Sequence, residues 1–214
     1  MSQLSRRERE RQVREDEIIS AAERVFHQKG YYNASMDEIA KEAQFAKGTV
    51  YQYFMNKEDL YFAVTLKGLI QLYSYIQEAI KKGKTGVEKT RLVGEAYYRF
   101  SLDFSDTFLL MNFGQHIKAD IDASLNYQKN GQYGSMIFKT IAEVIEEGKT
   151  DGSIRSDLNT NKAVYSYFLL ISGFFSRLSE VGTAYEKYFK ISQEEISLFT
   201  LDLVSKIIQS APQD

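Results

Sequence analysis

The sequence predicts an all-α chain, and three observations carry that prediction. Proline occurs once, as Pro212 close to the C-terminal end, so no helix interior is interrupted. No stretch of β-branched residues alternates strictly with polar ones, as a half-buried strand would require. Apolar residues instead recur three and four apart through most of the chain, and at 43% hydrophobic and 26% charged the 214 residues can fill one or two cores.

Helix one is marked by Ile18, Ile19, Ala22, Val25 and Phe26. Lys29-Gly30 gives it a basic last turn and a terminating glycine. Ser35-Met36-Asp37-Glu38 reads as a capping box opening helix two, whose apolar positions are Met36, Ile39, Ala40 and Ala43. Gln44-Phe45-Ala46 breaks the pattern, and a further short helix is expected from Lys47 to Phe54. On its wheel Val50 and Phe54 face inward, while Gly48, Thr49 and Gln52 face outward with Tyr51 and Tyr53 on the flanks. Asn56 caps a long fourth helix that begins with acids in Lys57-Glu58-Asp59 and runs through Leu60, Val64 and Ile70 to Ile80. Further helices are expected around 87–104, 106–117, 120–148, 160–181 and 192–210, punctuated by Gly148, Gly152 and Gly182. The domain boundary is placed near Asn56, giving domains 1–56 and 57–214.

Charge is distributed unevenly. The net charge is −2, yet Arg6, Arg7, Arg9, Arg11 and Arg14 make the first residues a basic arm ahead of an acidic body. Such an arm suits local phosphate contact, because counterion release depends on the charges actually contacted; a solvated helix face is the plainer reading. Cysteine is absent, which removes disulfides and thiolate metal sites and fits a reducing compartment. With no apolar run behind the arm and none of 18 residues later, a cytoplasmic location is expected. No cofactor or metal is expected.

Two short helices joined by a three-residue turn, the second with a small and polar outer face, meet the needs of a major-groove reader. Thr49 and Gln52 can meet base edges, Gln being suited to adenine and the Thr methyl to thymine. Gly48 allows close backbone approach. Lys47, Tyr51, Tyr53 and Lys57 are placed to donate to phosphates, and Ser35 can add one from the start of helix two.

The segment YYNASMDEIAKEAQFAKGTVYQYFMNKEDL, Tyr31 to Leu60, resembles the DNA-binding domain of the TetR family of bacterial transcriptional regulators. KGTVYQYF followed by NKEDL is its most specific part; with helix one the resemblance covers about residues 15–62. EEGKTDGSIRSDL, ahead of the penultimate helix, fits the family pattern more loosely. The resemblance implies a small three-helix N-terminal domain with a helix-turn-helix and a larger helical domain for ligand binding and dimerisation. It also implies a homodimer on palindromic operator DNA, released by a small-molecule effector and usually repressing. The DNA role carries over to Ser35, Lys47, Gly48, Thr49, Tyr51, Gln52, Tyr53 and Lys57. Two positions depart from the family: the turn usually has glycine where this chain has Gln44, and serine or threonine where it has Ala46. A recognition helix lacking that cap leans more on packing of Val50 and Phe54.

In the larger domain, Ala163 to Leu178 is apolar on more than one face, and Ile196, Phe199, Leu203 and Ile207 form a second seam. A four-helix interface between two copies is expected, using Tyr167, Ile171, Phe174, Phe175, Phe199, Leu203 and Ile207. Tyr97, Phe100, Phe104, Phe108, Met111 and Phe113 concentrate apolar surface, which reads either as core or as an effector cavity oriented by Arg99 and His116. A small, largely apolar effector would fit.

An enzyme has little support. His27 and His116 lie far apart, no Glu-x-x-His pair is present, and Gly83-Lys84-Thr85 and Gly148-Lys149-Thr150 lack the earlier glycine of a phosphate loop, having Glu78 and Glu143 there. Both triplets read as helix ends. A helical interaction adaptor with weakened DNA binding is the second alternative.

Overall fold

The computed structural model describes residues 5–113, 117 and 124–211. Among them are nine helices: α1 (Arg6–Asn33), α2 (Met36–Glu42), α3 (Lys47–Tyr51), α4 (Lys57–Ile80), α5 (Gly86–Asp103), α6 (Ser105–Phe113), α7 (Leu125–Asp151), α8 (Thr160–Phe189) and α9 (Gln193–Ile208). The described residues contain no strand and a single antiparallel bridge, Ile154 to Gln209. Among them no helix is long and apolar enough to cross a membrane. His116 lies outside the described residues.

The chain packs as two compact units, Met1–Leu69 with Asp106–Gln132, and Ile70–Ser105 with Tyr133–Asp214. The division therefore falls inside α4 rather than at Asn56. The reason is compositional: Leu60, Tyr61, Ala63 and Val64 of α4 share one core with Ile18, Ala22, Val25 and Phe26 of α1, Met36 and Ile39 of α2, and Leu110 of α6. Tyr61 meets the rings of Phe26 and Tyr31 edge-on, at 5.2 and 5.1 Å between centroids. Its hydroxyl donates to the Leu110 carbonyl, so a polar tip is satisfied inside the core. α4 and α6 approach at Gly68, where an added Cβ would lie 2.6 Å from both the Met111 sulfur and the Thr107 methyl.

α1 begins well upstream of its expected start. Ser5 caps it and forms a reciprocal box with Glu8, so the basic arm from Arg6 onward is helical. Lys29-Gly30 ends the regular helix as expected, Gly30 standing at φ 73°, where a side chain would be strained.

The second unit is held by close approaches at glycine. An added Cβ on Gly86 would come within 2.2 Å of Gly148 Cα, so α5 crosses α7 with backbone nearly touching backbone. Gly94 likewise makes room for Leu201 and for the Tyr167 hydroxyl, which donates to the Thr90 carbonyl at 2.7 Å. The first amides of α5 are satisfied from the end of α7: Gly86 N–H donates to Asp151 at 2.8 Å and Val87 N–H to Ser153 Oγ at 3.1 Å.

Gly148 and Gly182, expected as helix ends, are buried inside α7 and α8, where Ile154 and Gln193 respectively occupy the space a side chain would need. Only Gly152 of the three lies at a helix end, just past Asp151 and at φ 80°. α8 accordingly runs on to Phe189 and closes on Lys190 in the left-handed region, at φ 59°.

Candidate nucleic-acid interface

α2 and α3 pack through Met36, Ile39 and Ala40 on one helix and Val50 on the other, with Phe54 following; Val50 is fully buried and Phe54 nearly so. That inward pair leaves Lys47, Gly48, Tyr51 and Gln52 exposed, with Thr49 and Tyr53 half-buried. α3 is shorter than expected. Its last helical residue is Tyr51, Gln52 is the C-cap, and Tyr53 and Phe54 continue with amides bonded to the Val50 carbonyl at 3.1 and 3.0 Å. The face survives the shortening because Gln52 retains right-handed helical angles.

Each end of the motif is set by a few polar groups. The Ser35 hydroxyl accepts from Glu38 N–H at 3.3 Å and donates to the Glu38 carboxylate at 2.9 Å. A hydrogen bond from Lys29, with help from Ser35, holds the Glu38 carboxyl below the usual carboxylate range. The turn stands at its two unusual positions as the sequence implies: Gln44 adopts φ 59°, and Ala46 caps α3 with no side-chain hydrogen bond. A left-handed non-glycine residue costs about 1–2 kcal/mol. A missing side-chain cap costs about 1 kcal/mol.

Lys47 is paired at 2.6 Å with Asp37 across the turn, both side chains being more than half exposed. The pair raises the Lys47 ammonium pKa, so its charge is assured, and exposure leaves it able to exchange Asp37 for another anion. Lys57 is placed otherwise. Its ammonium donates to the carbonyls of Tyr31 at 2.8 Å, Ala34 at 3.0 Å and Tyr32 at 3.4 Å, and lies 4.5 Å from the centre of the Tyr31 ring. All three of its donors are thus turned toward the end of α1.

A residue outside the expected set also reaches this surface. The Arg11 guanidinium lies over the Tyr53 ring at 5.4 Å, joining the exposed beginning of α1 to the exit of α3. The signal available in sequence was the spacing of Arg7, Arg11 and Arg14 with Ile18, which places all four on one helix face.

The expected effector residues divide between the two units. Tyr97, Arg99, Phe100 and Phe104 belong to the second, where Tyr97 and Phe100 are buried, Phe104 stacks on Phe100 and Arg99 is exposed. Phe108, Met111 and Phe113 belong to the first, where Phe108 is buried and Phe113 meets the ring of Tyr32 at 5.8 Å.

The expected interface residues divide as well. Tyr167, Ile171 and Phe175 of α8 are at most 5% exposed and fill the second unit's own core, and Phe174 is half-buried. Phe199, Leu203 and Ile207 of α9 are exposed. On α8 the exposed large hydrophobic side chains are Tyr165, Leu169, Leu170, Tyr185, Tyr188 and Phe189, none of them among the expected interface residues.

A buried scaffold presenting a small polar helix face beyond a tight turn is the helix-turn-helix of a DNA-binding domain. Residues 18–64 match the model of the bacterial regulatory proteins of the tetR family, and this N-terminal domain belongs to that family. Curated relatives match part of the chain. The chain is 34% identical over 90 residues to the transcriptional activator FasR of Mycolicibacterium smegmatis, and 39% identical over 77 residues to the fatty acid metabolism regulator protein of Bacillus subtilis. Those matches take in 42% and 36% of this chain, and span 41% and 40% of the relatives' lengths.

The fold likeness extends further. The crystal structure of the regulator FadR from Bacillus subtilis in complex with stearoyl-CoA superposes with a TM-score of 0.73 at 23% identity, covering 90% of this chain and 98% of that one. AibR, crystallised with isovaleryl coenzyme A and operator DNA, gives 0.61 at 18% identity over 76% and 85% of the two chains. The chain therefore has the fold of tetR-family regulators: an N-terminal helix-turn-helix domain followed by a helical domain.

Proposed function

We propose that the chain is an acyl-CoA-responsive transcriptional repressor that binds a palindromic operator as a homodimer. The observation that carries the DNA part is the α3 surface, where Gly48, Tyr51 and Gln52 stand exposed over a fully buried Val50. Thr49 and Gln52 read bases. Ser35, Lys47, Tyr51 and Tyr53 contact phosphates, Lys47 by exchanging Asp37 for the DNA backbone. Lys57 serves the same surface from beneath, by fixing the end of α1 against the start of α4.

Twofold pairing is supported by the apolar side chains left exposed on the last two helices. Leu169 and Leu170 on α8, and Phe199, Leu203 and Ile207 on α9, are each 46–64% exposed, a density that a monomer rarely leaves to solvent. Gly173, with open space around its Cβ position, permits close approach of a second α8.

The effector reading rests on the fold relatives, since FadR was crystallised with stearoyl-CoA and AibR with isovaleryl coenzyme A. An acyl chain is also the mostly apolar moiety that the aromatic residues of α5 and its end, Tyr97, Phe100 and Phe104, suit. The experiment is an operator-release titration with palmitoyl-CoA, free CoA and palmitate. Release by the thioester alone supports the reading, and release by none of the three removes it. Coupling of about 1–3 kcal/mol would weaken operator binding some five- to 150-fold.

A further inference from the structure

We propose that the exposed beginning of α1 is a second DNA-contacting element, in which Arg7, Arg11 and Arg14 meet phosphates flanking the bases read by α3. This rests on the reading of α3 as the base-reading helix and adds a separate surface to it.

Residues 6–17 form more than three turns of helix before the first buried residue, Ile18, and all of them but the half-buried Glu15 are exposed. A polar helical stretch of this length gains little from packing, and alone it would be marginal in water. It is held by the Ser5–Glu8 box and by the i,i+4 pairs Arg6–Glu10 and Gln12–Asp16. Such a device keeps something in place.

What it keeps in place is cationic. At 3.6 residues per turn, Arg7, Arg11 and Arg14 fall within about 60° of one another around the helix axis. They continue the line of Ile18, Ala22 and Val25, which is the face α1 buries in its own core. The same face thus changes from apolar to arginine where the core ends. Its direction is fixed by Arg11, whose guanidinium sits 5.4 Å from the ring of Tyr53, the neighbour of Gln52.

The charges on this stripe are available. Among the described residues none of Arg7, Arg11 and Arg14 takes part in an ion pair, and of the acids within a turn of them Glu10 pairs with Arg6, Glu8 accepts from the Ser5 amide and Asp16 accepts from Gln12. From Arg7 to Arg14 the helix rises about 10 Å, at about 1.5 Å per residue. Guanidinium groups donate to phosphate bidentately, so three such contacts are within the reach of one stripe.

The test uses the full chain and a duplex that the wild-type protein recovers from a random-sequence pool, with binding measured over a range of NaCl concentrations. For R7Q/R11Q/R14Q the slope of log K against log salt is expected to fall by about 5, at about 0.9 per phosphate contact and three contacts from each protomer of the dimer, with the recovered base preference unchanged. The triple lysine variant R7K/R11K/R14K should keep most of the slope, which separates lost charge from lost folding. Trimming the duplex outside the recovered motif should remove the difference between wild type and the glutamine variant.

An unchanged slope in a wild type that selects DNA overturns this proposal while leaving the α3 reading intact. A wild type that selects no DNA overturns both. Loss of binding to phosphatidylserine vesicles in the glutamine variant, with its DNA slope unchanged, would assign the stripe to a membrane surface instead.

Discussion

Asp59 and Ser124 share a hydrogen bond of 2.9 Å that ties the first turn of α4 to the start of α7. Asp59 is buried, and its carboxylate also accepts from Asn126 Nδ2 at 2.9 Å and from Met55 N–H at 3.2 Å, while its own amide donates to Asn56 Oδ1 at 2.8 Å. Ser124 in turn caps α7 by accepting from Tyr127 N–H at 3.1 Å. One carboxylate therefore ties Met55, just ahead of α4 and immediately after the reading segment, to the first turn of α4 and anchors the capping serine of α7. Asp59→Asn should lower unfolding free energy by about 1–3 kcal/mol, since an amide cannot accept at both oxygen positions. Urea denaturation measures the loss, and a double-mutant cycle with Asn126→Ala should give coupling of at least about 0.5 kcal/mol.

The turn between α2 and α3 holds two local costs. Gln44→Gly should stabilise the protein by about 0.5–1 kcal/mol, the relief of a left-handed glutamine less the entropy of glycine. Ala46→Ser should add a side-chain cap where α3 now has none, for about a further 1 kcal/mol. Thermal unfolding of the two single variants and the pair checks both. A fall in melting temperature on Gln44→Gly would contradict the strain at this turn.

Lys57 is expected to separate stability from DNA contact. Lys57→Met leaves the carbonyls of Tyr31 and Ala34 without their donor and should cost about 1–3 kcal/mol in unfolding free energy. Lys47→Met should cost little, because its partner Asp37 is exposed, yet should flatten the salt dependence of DNA binding by about 1.8, at about 0.9 for each protomer of the dimer. Denaturant titrations and binding at several salt concentrations separate the two lysines. The opposite assignment of effects would return Lys57 to the phosphate set.

Pairing through α8 and α9 is expected to depend on the outward side chains. Leu169→Asp with Leu203→Asp should give a monomer by sedimentation, with helix content unchanged, because both positions are exposed within one chain. Tyr167→Phe should instead remain a dimer and lose about 1 kcal/mol of stability with the hydrogen bond to Thr90. A dimer surviving the double aspartate change would place the interface elsewhere.

How much was legible in the sequence differs from element to element. The α2–α3 motif was readable because each feature is local: the Ser35–Glu38 box, the inward Val50 and Phe54, and the odd turn residues Gln44 and Ala46 are set by a few neighbours. The buried side of α8 was not, because that helix is apolar nearly all round. Periodicity cannot choose between Tyr167, Ile171 and Phe175 on one face and Tyr165, Leu169 and Leu170 on another. Gly148 and Gly182 were misread for a related reason, since a glycine that ends a helix and one that lets another chain segment touch it look alike in sequence. The role of Lys57 was hidden because its partners are backbone carbonyls more than twenty residues away.

The central claim is that the exposed face of α3 reads double-stranded DNA. Selection from a random duplex pool, followed by the same selection with Gln52→Ala, tests it most directly. The expected result is a palindromic motif recovered by the wild type, with one base pair in each half losing its preference in the variant at a cost of about 1–3 kcal/mol. Recovery of no motif at low salt, or of the same motif at the same strength by both proteins, would contradict it.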